Sequence, residues 1–220
     1  LGDVYKRQIN IGIIQNCQAA SIGDNSKDMV GGICGVNLGV IIDCEINNST
    51  VTGRDNVGGI AAENFGLIHN TKLGPVRILS TGRNAGAIAG YNGRFSGHEG
   101  RVAVEKTESL DGGAVNVSGN INVGGLIGKN EGMLTAPSFG KAVFRGFVNG
   151  TENVGGIVGE NSADLSSFDN RSVIAAGNGN AGGIIGKNTG SYSVSNCDNY
   201  GTVTAVSGYA GGILGMYQHA

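Results

Sequence analysis

The sequence predicts an all-β fold: a right-handed parallel β-helix, or β-solenoid, of about seven coils, each of about 28 residues with three short strands. Three observations predict it. The first is a repeated phrase, Asn-Val-Gly-Gly-Ile-x-Gly-x-Asn, clearest at Asn153–Asn161. Its Gly-Gly or Gly-Ala pair opens at Gly31, Gly58, Gly86, Gly124, Gly155, Gly182 and Gly211, so successive steps are 27, 28, 38, 31, 27 and 29 residues. A near-constant period of this size is the signature of a repeat architecture. The second is local: short runs of Val, Ile and Thr are bounded by Gly and Asn, which favours strands. A helix carrying Gly at this density would lose about 1 kcal/mol at each one relative to Ala. The third is composition. With 42 Gly, 2 Pro, no Trp and 40% hydrophobic residues, the chain suits thin, regularly packed coils and is too apolar for a solvated disordered chain.

One full unit shows how each element arises. Gly31-Gly32-Ile33-Cys34-Gly35 forms the first run, turns at Asn37, and gives way to Gly39-Val40-Ile41-Ile42-Asp43-Cys44. A polar stretch through Asn47 and Asn48 leads to Ser49-Thr50-Val51-Thr52, which ends at Gly53. The Asn six residues past the first Gly recurs as Asn37, Asn64, Asn92, Asn130, Asn161 and Asn188, giving way to Tyr217 in the last copy. These are the expected structural turn residues. Asn tolerates the left-handed conformation, its side chain bonds nearby backbone, and stacked copies can pair their amides. A second Asn precedes the phrase at Asn56, Asn84, Asn122, Asn153 and Asn180 and marks the opposite corner.

The paired glycines are read as structural. They are Gly31 and Gly32, Gly58 and Gly59, Gly124 and Gly125, Gly155 and Gly156, Gly182 and Gly183, and Gly211 and Gly212. They are expected to bend or bulge the backbone, since Gly carries no steric penalty at positive φ. A further Gly, four residues after the first, is replaced once by Ala62, so that position needs smallness above all.

Two segments depart from the rhythm. Residues 1–8, Leu1-Gly2-Asp3-Val4-Tyr5-Lys6-Arg7-Gln8, resemble translated sequencing-adaptor read-through and are set apart from a repeat domain over 9–220. The chain then reads as a fragment with open ends, which are expected to self-associate. The second departure is the long step after Gly86. Its excess falls at 93–113, where Phe95, His98, Glu99, Arg101, Glu105, Lys106 and Glu108 make a charged loop insertion. Loops on a repeat scaffold often carry its binding function.

Chemistry is scarce. Net charge is −2 with Lys and Arg scattered, which argues against nucleic acid. No apolar run approaches the roughly 20 residues of a membrane span. His98-Glu99 opens like a zinc-protease motif, but Val102 stands where the second His belongs. Gly177-Asn178-Gly179-Asn180-Ala181-Gly182 matches a dinucleotide fingerprint yet leads into another strand. Gly128-Lys129-Asn130 and Gly186-Lys187-Asn188 lack the rest of a phosphate loop. Cys17 and Cys44 lie one period apart and share their phase with Cys197; they are read as a buried thiol stack, with a Cys17–Cys44 disulfide as the alternative. Thr50, Thr52, Ser80, Thr81, Thr202 and Thr204 could together form a flat polar face. No catalytic, metal or cofactor residue is assigned, and no enzyme activity is expected.

The repeated Gly-Gly-Ile-x-Gly-x-Asn-x-Gly-x-Ile-x-x-Cys, best seen from Gly31 to Cys44, resembles the GLUG repeat, whose Gly-Leu-x-Gly core stands at Gly125-Leu126-Ile127-Gly128. The resemblance spans nearly all of residues 9–217, with Ala62, Ala163 and Tyr217 as worn positions. It implies a secreted or cell-wall-attached bacterial protein, an adhesin-like stalk; as a binding scaffold, the chain would hold a host glycan or protein on the 93–113 loop or on a face of its sheets. Similar repeats in the non-catalytic N-terminal region of IgA-specific zinc metalloproteases imply an alternative: the accessory region of such a protease.

Overall fold

A computed structural model describes residues 8–104 and 115–218. Among them there is no helix, and every ladder pair but one short hairpin is parallel. The chain stacks as a β-solenoid of about seven turns. Coil-to-coil pairing carries the sequence period directly: Asn37 lies beside Asn64, Asn64 beside Asn92, and Asn92 beside Asn130.

The coils described in full, from Val30, Val57, Ile121, Glu152 and Ala181, have five short strands each where the sequence suggests three. In the coil from Val30, these are Val30–Gly31, Cys34–Asn37, Val40–Ile42, Glu45–Ile46 and Ser49–Gly53. Within the Gly-Gly-Ile phrase the first glycine ends one strand, and the second glycine and the Ile form the bend before the next. Gly32 donates its N–H to the carbonyl of Gly59 in the next coil, at 3.0 Å, outside any ladder. The second run is likewise split at Asp43, which takes a left-handed φ of 54°.

The five strands form five sides. Three run through the stack: an eight-stranded ladder ending in the Asn residues, a seven-stranded ladder ending in the first phrase glycines, and a seven-stranded ladder built on Val51, Ile78, Val117, Val148 and Ile174. Inside lie columns of like residues. Ile60, Ile88, Leu126, Ile157 and Ile184, the residues after the glycine pairs, are all buried. Each such side chain contributes about 1.5–3 kcal/mol when fully buried.

The phrase glycines serve close approach and not a left-handed backbone. None of the twelve has a positive φ. A Cβ on Gly155 would overlap the carbonyl oxygen of Val158 and stand 2.7 Å from the amide nitrogen of Gly186. A Cβ on Gly156 would instead overlap the carbonyl oxygen of Gly183, in the coil above. The first glycine therefore lets its own coil close and the next coil approach, and the second lets the next coil settle on it.

The asparagines divide their roles differently from the sequence reading. Asn37, Asn64, Asn92, Asn130, Asn161 and Asn188 are buried strand residues without left-handed backbone. Their amides form one continuous chain from Asn10 to Asn188, each Nδ2 donating to the next Oδ1 at 2.8–2.9 Å. The left-handed conformation falls to the other set: Asn56, Asn84, Asn122 and Asn153 have φ of 50°, 63°, 56° and 52°. These also pair their amides, but in the other sense: Asn84, Asn122, Asn153 and Asn180 each donate back to the preceding coil, while Asn56 donates to Glu63 Oε1. The two amide chains run in opposite directions, so their dipoles oppose. A further left-handed corner at Asn16, Asp43, Asn70, Ser167 and Asn196 was not singled out from sequence.

The flat hydroxyl face does not form. Ser80 points inward, buried, and donates to the carbonyl of Arg54 at 2.5 Å. Thr50 and Thr52 have Arg77 and Leu79 as their neighbours in the next coil.

Candidate functional site

The repeat is broken on one flank, in two adjoining ways. The first is a hairpin. The chain leaves the Asn ladder at Asn92 and forms Arg94–Phe95 and His98–Glu99 as an antiparallel pair. Ser96 and Gly97, with φ of 49° and 83°, supply the two left-handed residues of a tight hairpin turn. Gly100 N–H closes the base on the Gly93 carbonyl at 2.6 Å, and Arg101 N–H then returns to the stack on Gly66. Arg101–Ala103 is a regular rung, paired with Leu67–His69 below and Met133–Thr135 above. The 93–113 insertion is thus not one continuous loop: 93–100 projects, 101–103 lies in the stack, and 105–114 falls outside the described residues. Val102 is buried in its rung while His98 is exposed on the hairpin, so the His-Glu-x-x-Val sequence spans two different environments.

Aromatic contacts seat the hairpin. The Phe95 ring lies 5.4 Å from Phe65 at a 40° tilt, and Phe65 meets Tyr91 edge-on at 5.8 Å. Phe65 is buried by this, while Phe95 remains 56% exposed. Arg94 grips Glu99 across the hairpin, its Nη2 2.8 Å from Oε1.

A row of charges runs beside the hairpin along the Asn ladder. Tyr91 donates its hydroxyl to Glu131 Oε2 at 2.6 Å. Lys129 lies 2.9 Å from Glu131 and 3.4 Å from Glu160, and Lys187 reaches Glu160 at 4.0 Å. Burial and the Glu131 carboxylate push the Tyr91 phenol well above its ordinary value. Burial would raise Glu131, but the Tyr91 hydroxyl and the Lys129 ammonium outweigh it and hold the carboxyl below its usual range. The lysines of the two Gly-Lys-Asn segments are thus engaged in ion pairs.

The second break is in the ladder itself. The five-stranded side that includes Arg101–Ala103 ends at Met133–Thr135; Leu165–Ser166, one coil on, pairs only with Val194–Ser195. A groove of about 460 Å³ opens there, lined by Met133, Thr135, Pro137, Asp164, Ser166 and Ser193. Asp164 Oδ1 accepts from both the backbone N–H and the hydroxyl of Ser193, at 2.8 and 3.0 Å, which lowers its pKa. Tyr192, 42% exposed, stands next to Ser193, and Arg94 lies within electrostatic reach of both Tyr192 and Glu131.

The remaining sequence candidates fall elsewhere. All four cysteines are unbonded. Cys17 and Cys44 occupy the same step of adjacent coils, Glu45 N–H bonding the Cys17 carbonyl at 2.9 Å. Cys44 is buried, which raises its thiol pKa, while Cys17 is exposed. Gly177–Gly182 runs into the strand Ala181–Gly182 and opens no helix. Among the described residues, no three His, Cys, Asp or Glu side chains come together as a metal site. The flank's own signal was in the sequence: a Ser-Gly turn between Arg94-Phe95 and His98-Glu99, with opposite charges at the outer positions.

No family model matches the chain, and neither does any curated protein. Among solved structures, it is similar to a "putative immunoglobulin A1 protease" from Bacteroides ovatus, with a TM-score of 0.51 and 20% identity over 94% of this chain and 67% of that one. At this identity the likeness shows a shared fold.

Proposed function

We propose that the chain is a rigid, non-catalytic segment of a secreted or cell-wall-attached bacterial protein, extending or presenting the domains joined to it. The observation that carries this reading is the continuity of the stack. Three ladders run through the stack, a chain of amides joins its coils from Asn10 to Asn188, and Lys129, Glu131 and Glu160 on its flank are tied into ion pairs. Such a body transmits position over its length at low conformational cost. The resemblance of Gly31–Cys44 to the GLUG repeat supports the surface location. Fusing the chain between a surface anchor and an epitope tests it. The epitope should become more accessible to a bulky antibody than without the chain, and removing two coils in phase should reduce that gain. Equal accessibility with and without the chain would overturn the reading.

The name of the structural neighbour favours a second reading, in which the chain is the accessory region of a secreted IgA-type metalloprotease. On either reading the chain alone leaves immunoglobulin A1 intact. Cleavage by the purified chain, seen as new fragments on a gel, would refute its non-catalytic role.

A further inference from the structure

The geometry points to the flank carrying Phe95 and Tyr192 as a binding site for a neutral oligosaccharide chain. Four features combine there. Phe95 is braced from behind by Phe65, yet leaves a ring face in solvent. An aromatic face carries negative charge density, which attracts the polarised C–H groups on one side of a pyranose ring. Tyr192 offers a second exposed ring further along. The segment of Tyr192 follows Asn188 and that of Phe95 follows Asn92, so the two leave the stack at rungs about 14 Å apart. That separation suits a short oligosaccharide better than a single sugar.

Between and beside the rings stand fixed hydrogen-bonding groups. Arg94 and Glu99 hold each other at 2.8 Å, and Glu131 is held by Tyr91 and Lys129. Asp164 is held by Ser193 in the groove, where the Thr135 and Ser166 side chains also lie. Paired charges of this kind present planar donors and acceptors that vicinal hydroxyls can bridge, at little ordering cost on binding.

The same features disfavour other occupants. The cations Arg94, Lys129 and Lys187 are each already paired with a carboxylate, Glu99, Glu131 or Glu160, which opposes an anionic ligand. A stable protein partner needs about 800 Å² of surface on each side with an apolar centre; here charged groups separate the rings. The groove also sits where the ladder is interrupted, so a ligand there displaces no backbone pairing. This site goes beyond the scaffold role and does not depend on it, because a rod can present a domain without binding anything itself.

The test uses the purified chain on a printed array of neutral oligosaccharides, with each hit then titrated by calorimetry. Binding is expected to at least one neutral tri- to pentasaccharide. Phe95→Ala and Tyr192→Ala should each weaken it about ten-fold or more, equivalent to about 1.4 kcal/mol. Phe147→Ala, an equally exposed ring on another side, should leave it unchanged. Far-UV circular dichroism verifies folding of each variant; if Phe95→Ala unfolds, Arg94→Gln and Tyr192→Ala carry the test. No array hit, hits confined to anionic glycans, or hits indifferent to the Phe95 and Tyr192 changes would overturn the proposal.

Discussion

Replacing Asn130 with alanine tests how much the buried amide chain contributes to holding the coils in register. Asn130 is fully buried, accepts from Asn92 Nδ2 at 2.8 Å, and donates to Asn161 Oδ1 at 2.9 Å. Truncation removes both bonds. Asn92 Nδ2 keeps the carbonyl of Met133 at 3.2 Å, so its loss is near the net worth of one hydrogen bond, about 1 kcal/mol. Asn161 Oδ1 loses its donor inside the stack, at about 1–3 kcal/mol. The expected total is about 3 kcal/mol. With a urea m-value of about 3 kcal/mol/M, the midpoint should fall by about 1 M. Far-UV circular dichroism is the probe, since the chain has no Trp. Asn10→Ala is the control: Asn10 ends the amide chain and is half-buried, so water can replace the donor that Asn37 loses. Its midpoint should move by less than half as much. If both variants shift equally, or if Asn130→Ala moves the midpoint by less than about 0.3 M, the amide chain does not set register as argued.

Other outcomes follow from the same structure. Gly155→Ala should prevent normal folding or cost more than about 4 kcal/mol, because its Cβ would meet backbone on two sides; a soluble variant with an unchanged melting curve would contradict this. Glu131 sits below its ordinary pKa of 4.5, so the stability it adds is present above that value and lost as pH falls through its folded pKa. Glu131→Gln should therefore flatten the decline of melting temperature between about pH 5 and pH 3, and an identical acid limb would count against the Tyr91 and Lys129 contacts. In the folded protein, iodoacetamide should label Cys17 first and reach Cys34 and Cys44 only on unfolding, as read by peptide mass spectrometry.

The stack was legible in the sequence because a parallel solenoid turns sequence period into spatial neighbourhood. A residue and its copy one period later become ladder partners, so Val154, Ala181 and Ala210 line up without further information. The division of each coil was less legible. Gly-Gly-Ile reads as part of a strand because Ile is β-branched, and only the bonds of Gly32 to the next coil show that Gly32 and Ile33 form a bend after the strand ends at Gly31. Identical residue types also concealed different tasks. Both Asn sets suit a left-handed turn by propensity and both pair their amides, yet only the set from Asn56 to Asn153 takes the left-handed backbone, while the set from Asn37 to Asn188 stays in its strand.

The flank was partly legible. Its excess length showed in the 38-residue step between Asn92 and Asn130, and its charge in Arg94, Glu99 and Arg101. The groove gave no such signal, since Thr135, Ser166 and Ser193 come from three coils and stand together only after stacking.

What the sequence by itself determined was the repeat: its period, its small apolar interior and the places where Gly and Asn are required, all of them local demands repeated once per coil. What only the tertiary structure decided was how those demands are shared. Which backbone atoms each glycine must clear, which Asn takes the left-handed corner, in which sense each amide chain runs, and where a ladder stops depend on contacts between coils, and a single unit of sequence cannot express them.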